Sequence, residues 1–143
     1  MSDAATQRGS CHCGKLGVLF RPAQPVDTLH PRACDCAFCT KHGATWVSDP
    51  AGTLAIVATA PPRECRQGSG NARFLLCGDC GVLAAVVHES DGRLRGAVNV
   101  RCMDDADAFG AAIAVSPRQL PPEGRVARWQ QVWTPAGITI RQA

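Results

Sequence analysis

The sequence predicts a mainly β domain of many short strands and few short helices. Three observations carry that prediction. Apolar residues recur at alternate positions in short runs such as "KLGVLF", the period of a strand with one face buried. Glycine, proline and aspartate interrupt those runs at close intervals, which suits tight connections between small sheets. Nine of the 143 residues are cysteine, and most lie in tight groups between the runs, where they can pin one segment to another. The chain has the usual length of one domain and can bury a sizeable core.

After a polar tail, "KLGVLF" places Leu16, Val18 and Phe20 on one face of a strand. "PAQPVDTLHPRA" is a proline-rich connection. "ATWVS" and "TLAIVA" read as two strands separated by the turn Asp49 to Gly52. "RQGSGN" is a loop, and "ARFLL" is a strand running into Cys77. "VLAAVV" and "LRGAVNV" form a pair across "HESDGR", where Asp91-Gly92 favours a tight turn. "DDADAFGAAIAV" is the best helix candidate, because aspartate caps a first turn and an acidic start suits the helix dipole. Residues 1–115 read as the body of the domain. Residues 116–143 read as a proline-containing arm packed on it, with Trp129 and Trp133 on one side of a short helix.

Composition narrows the function classes. The formal charge of +3 is mild, and the arginines of the arm (Arg118, Arg125, Arg128, Arg141) lack the density and aromatic interleaving of a nucleic-acid binder. No secretory leader is evident in "MSDAATQRGS", and the longest apolar run, Val82 to Val87, is far too short to cross a bilayer. The expected compartment is the cytoplasm, where thiols stay reduced. Clustered cysteines there point to metal or catalysis rather than to disulfides. Trp129 and Trp133 of the arm are the candidate contact of a homodimer.

Seven cysteines fall into three groups: Cys11 and Cys13, then Cys34, Cys36 and Cys39, then Cys77 and Cys80. Both C-x-C and C-x-x-C spacings can turn two sulfurs toward one ion, and Gly14 and Gly81 supply the permissive backbone such turns need. The natural partition is four plus three. Cys11, Cys13, Cys77 and Cys80 would close a structural zinc tetrahedron, leaving Cys34, Cys36 and Cys39 as three ligands with an open position, the pattern of catalytic zinc. Spacing does not dictate which pair joins which. Cys65, Cys102, His42 or His30 are the residues that would complete the triplet if it were a second closed site.

In order and separation, "GSCHCGKLGVLF", "CDCAFCTKHG" and "FLLCGDCG" resemble the glutathione-dependent formaldehyde-activating enzyme family, which also includes centromere protein V. The resemblance spans Gly9 to Asp104. It implies a β-tent fold of several small, coiled antiparallel sheets and two zinc ions, one structural on Cys11, Cys13, Cys77 and Cys80, one catalytic on Cys34, Cys36 and Cys39. It implies a carbon–sulfur lyase that joins formaldehyde to the glutathione thiol as S-hydroxymethylglutathione. Cys65 stands where the family commonly has tyrosine, and Cys102 where it has a small non-thiol residue. Lys41, Arg63, Arg66, Arg73 and Arg101 are the candidate partners for the carboxylates of a glutathione-like thiol. Two other classes compete with the enzyme. One is a zinc-stapled module that binds protein or nucleic acid, and the other is a redox or metal-buffering protein using Cys65 and Cys102.

Overall fold

The computed structural model, which describes residues 6–141, turns the alternating runs into a branched sheet of 11 strands. The order along the main path is β1 (Gln7–Ser10), β2 (Leu16–Arg21), β5 (Thr53–Ala58), β11 (Thr134–Ile140), β9 (Arg93–Asn99), β4 (Trp46–Val47), β3 (Arg32–Cys34) and β10 (Ile113–Val115). A branch leaves β9 through β8 (Leu83–Ser90) to β7 (Arg73–Leu76) and β6 (Arg63–Cys65). The expected mainly β character is therefore observed. Two α-helices accompany the strands among the described residues, α1 (Ala37–His42) and α2 (Pro122–Val132).

Most runs fold as their period implies. Leu16, Val18 and Phe20 are buried, and β2 pairs antiparallel with β5 in continuous register from Leu16↔Ala58 to Arg21↔Thr53. Asp91 and Gly92 both take positive φ, 54° and 72°, which turns β8 tightly into β9.

The helix expected in "DDADAFGAAIAV" does not form. One 3₁₀ turn, Ala106–Ala108, replaces its first half, and β10 replaces its second. Tertiary contacts outweigh the local propensity. Phe109 leaves the turn to stack on Phe20, with centroids 6.4 Å apart. Gly110 donates to the Leu29 carbonyl, so close to the His30 ring that a Cβ would lie 2.8 Å from it. The chain then runs parallel to β3 from Ile113↔Arg32 to Val115↔Cys34.

The last residues are woven into the sheet. β11 lies between β5, to which it is parallel, and β9. Its first residue, Thr134, is fully buried, and the Thr134 hydroxyl accepts from the Asp49 backbone N–H at 2.8 Å. The Asp49 carboxylate, 1% exposed, accepts the N–H groups of Ala23, Gln24 and Ala51 at 2.8, 3.3 and 3.0 Å. Removing an acceptor that holds three backbone donors leaves all three unpaired. Asp49→Ala should therefore lower the unfolding free energy by about 3 kcal/mol in urea denaturation. An unchanged midpoint would show that the carboxylate anchors nothing.

Two apolar clusters form the core. One surrounds Cys11 and Cys77 with Phe20, Ile56, Leu75 and Val87. The other surrounds Cys39 with Trp46, Phe74, Val86 and Trp133. Each of the two cores thus borders one cysteine group. Among the described residues, no helix is long and apolar enough to cross a membrane.

Candidate metal centres and cavity

All nine cysteines are free thiols, and seven of them gather into two groups, four and three. Cys11, Cys13, Cys77 and Cys80 present sulfurs that all lie within 4.8 Å of one another. The β1–β2 turn supplies the first pair and the β7–β8 turn the second. Gly14 and Gly81 follow the pairs at φ 85° and 79°, so both turns use the left-handed backbone that glycine adopts without steric cost. The backbone N–H of Leu16 donates to the Cys11 sulfur at 3.3 Å, and those of Asp79 and Cys80 donate to the Cys77 sulfur at 3.4 Å. Such donors favour thiolates. Backbone donors, that of Cys80 first, pull the Cys77 thiol down, and backbone donors, that of Val82 first, draw the Cys80 thiol down to about 6.

The sulfur spacing tests the group for zinc. Four sulfurs at about 2.3 Å from one ion stand about 3.8 Å apart in a tetrahedron. Cys11 and Cys13 are 3.7 Å apart, and Cys13 and Cys77 are 3.5 Å apart. The donor set and its dimensions fit a closed four-thiolate zinc site. Just outside it, Lys15 pairs with Asp79 and ties the two turns together a second time.

The second group is Cys34 at the end of β3, Cys36 at the cap of α1 and Cys39 inside that helix. Their sulfurs also lie within 4.8 Å of one another, and among the described residues no other histidine, cysteine, aspartate or glutamate joins them. The four residues that could have completed the set are engaged elsewhere. The His42 ring packs tilted against Phe38, with centroids 4.6 Å apart, and the His30 ring bonds the Ala111 carbonyl. The Cys65 thiol points to its neighbour's carbonyl, that of Arg66. Cys102 donates to Leu83 O at 3.2 Å, and burial pushes its thiol up to about 11, which keeps it protonated.

Within the triplet, the Cys36 sulfur accepts the Cys39 backbone N–H at 3.4 Å, and the Trp46 indole donates to the Cys39 sulfur at 3.4 Å. The Cys39 hydrogen bond draws the Cys34 thiol down to about 6, while the bond to Cys34, and then burial, push Cys39 up. The hydrogen bonds within the group thus favour the thiolate at Cys34 over that at Cys39. Three soft sulfur donors without a fourth protein ligand fit zinc with one position open.

The cysteine group borders open space. Cys34, Cys36 and Cys39 line a cavity of about 560 Å³, walled by aromatic rings of Trp46, Phe74, Trp129 and Trp133. Helix α2 roofs it. Trp129 and Trp133 stack at 4.7 Å and 11°, the Val132 carbonyl accepts from Ser48 Oγ at 2.6 Å, and Gln130 bonds Ser90 at 3.0 Å. The cavity's cations are Arg32, Arg118, Arg125 and Arg128. Burial, and then the charge of Arg128, lower the Arg32 guanidinium to about 10. None of Lys41, Arg63, Arg66, Arg73 and Arg101 lines the cavity. Arg32 carried no sequence signal, since β3 lies in a proline-rich stretch. Arg118, Arg125 and Arg128 were visible only as a basic arm.

No protein-family model matches the sequence, and no curated protein sequence matches it. Among solved structures, the crystal structure of a Rhodobacter sphaeroides protein, determined as a structural genomics target, is similar with a TM-score of 0.52 at 24% identity. The match covers 68% of this chain and 87% of that one. The likeness is one of fold.

Proposed function

We propose that this protein is a zinc-dependent carbon–sulfur lyase that forms or breaks a thiol–aldehyde adduct, related to the glutathione-dependent formaldehyde-activating enzymes. One observation carries the reading: three clustered thiols, with no fourth protein ligand, open onto a cavity large enough for a small organic substrate. Cys11, Cys13, Cys77 and Cys80 would hold a structural zinc, and Cys34, Cys36 and Cys39 a catalytic one. Zinc held by three thiolates takes up a further sulfur and lowers the pKa of a bound thiol.

The cavity's own side chains suit this reaction class. In adduct formation the thiol sulfur bonds to the aldehyde carbon, the C=O π pair moves to oxygen, and the thiol proton ends on that oxygen. Breakdown reverses each step. Neither direction needs a strong protein base, and among the described residues no aspartate, glutamate or histidine lines the cavity. Hydrolysis of an amide or ester would ask for such a base. The aromatic walls keep water from competing for the aldehyde, and the Trp46 donor orients the Cys39 sulfur. Holding thiol and aldehyde side by side supplies the rest, since the reaction is intrinsically easy. A reducing cytoplasm is the setting in which all these thiols stay free.

The test follows adduct formation from ¹³C-formaldehyde and a thiol by NMR, with and without zinc-loaded protein. Acceleration of about 100-fold or more over the uncatalysed rate is expected. An unchanged rate with every thiol tried would remove the lyase reading and favour a zinc-stapled binding module.

A further inference from the structure

The cavity restricts its occupant more narrowly than the reaction does. Its walls are apolar, with Trp46, Phe74, Trp129 and Trp133 supplying broad ring faces. Away from the cysteine group, its charged side chains are all arginines among the described residues. Of the four arginines, Arg118 is neutralised by Asp35 at 3.2 Å. Arg32 donates only to the neutral Ser48 hydroxyl at 2.7 Å, and Arg125 to the Leu120 carbonyl at 3.1 Å. Arg128 has no hydrogen-bond or ion-pair partner among the described residues. Guanidinium groups beside a low-polarity cavity repel each other and lack a counter-ion, and a carboxylate offers the matched bidentate acceptor.

Among the described residues no aspartate or glutamate lines the cavity, so away from the cysteine group an ammonium would meet arginines without a carboxylate to pair with. Glutathione brings such an ammonium, together with two amides that the apolar walls would strip of water. A thiol with a carboxylate, an apolar body and no cationic group matches every feature.

We propose that the cavity selects an anionic, ammonium-free thiol, whose carboxylate is held by Arg32 of β3 and Arg128 of α2 while its sulfur reaches the Cys34, Cys36 and Cys39 group. This rests on the lyase reading and names its substrate class. Helix α2 then sets specificity, because it brings Arg125, Arg128 and Trp129 to a site whose sulfurs come from β3 and α1. The excess positive charge also steers anions inward before contact.

Two measurements on the zinc-loaded full chain test this. The first compares kcat/KM with formaldehyde for 3-mercaptopropionate, its methyl ester, cysteamine and glutathione. The acid is expected to exceed each of the others by about tenfold or more, chiefly through KM. Arg128→Gln should bring the acid-to-ester ratio down to about one, a collapse of about tenfold or more. Glutathione or cysteamine performing as well as the acid, or a ratio untouched by Arg128→Gln, overturns the proposal. The second is calorimetric binding of 3-phenylpropionate, a thiol-free carboxylate that cannot react. Binding by the parent protein, weakened about tenfold or more in Arg128→Gln, supports the anion site whatever the turnover result. If no thiol is turned over but this binding is seen, the lyase reading falls and the anion site stands. No binding, or equal binding by both proteins, overturns the site itself.

Discussion

Replacing Cys77 with serine is expected to abolish cooperative folding. Cys77 is 4% exposed, and its sulfur accepts two backbone N–H groups and lies 3.5 Å from Cys13. It belongs to the group that joins the β1–β2 turn to the β7–β8 turn. Those strands do not hydrogen-bond to each other; the sheet path from β2 to β8 runs through β5, β11 and β9. The four sulfurs are thus the short connection between two ends of a long ladder. Apparent binding energies of structural zinc are about 10–16 kcal/mol, while whole domains are stable by about 5–15 kcal/mol. Losing one ligand of four therefore removes a contribution as large as the net stability. The measurement is a thermal melt by circular dichroism with a matching proton NMR spectrum. Dispersed amide signals and a melt within a few degrees of the parent would show that this group does not hold the fold. Asp79→Ala, which loses only the exposed pair with Lys15, is the control expected to melt near the parent.

Much of this arrangement is legible in the sequence, and the parts that are not share a physical cause. β2, β5, β7, β8 and β9 bury one or both faces, so their apolar runs show. Both cysteine groups come together as the four-plus-three partition has it, because closely spaced ligands in turns have few other ways to converge. What stays hidden depends on partners far away in the chain. α1 has six residues, too few for a helical period, and takes its start from the Cys36 sulfur. β1, β3 and β6 are short strands that pairing rather than pattern defines. The helix expected near Asp104 loses to the burial of Phe109. The arginines of the cavity are the hardest case, since a lone arginine on a three-residue strand looks like any solvated charge until α2 folds over it.

Cys36→Ser is expected to do the opposite of Cys77→Ser, sparing the fold and removing the chemistry. Cys36 is half-buried at the cavity rim, and its segment is held without it: β3 pairs with β4 and β10, and the Gly43 N–H closes α1 onto Cys39 O and Thr40 O. Its sulfur caps α1 by accepting from Cys39 N and takes a long bond from Gln67 Nε2 at 3.9 Å, and a serine oxygen performs the capping as well as sulfur does. Serine is a far poorer zinc ligand than thiolate, however, and only two sulfurs would remain in a group of three. Zinc content should fall from about two per chain to about one, matching the loss of one of the two cysteine groups. The melting temperature should shift by no more than about 4 °C, the change that roughly 1 kcal/mol brings in a domain of this size. Adduct formation should drop by about 100-fold or more, because the remaining sulfurs no longer present an open position to the cavity. A variant that keeps two zinc ions and full activity would separate the triplet from the chemistry. One that unfolds with the loss of its metal would make the triplet a second structural staple, and the cavity above it a binding surface instead of an active site.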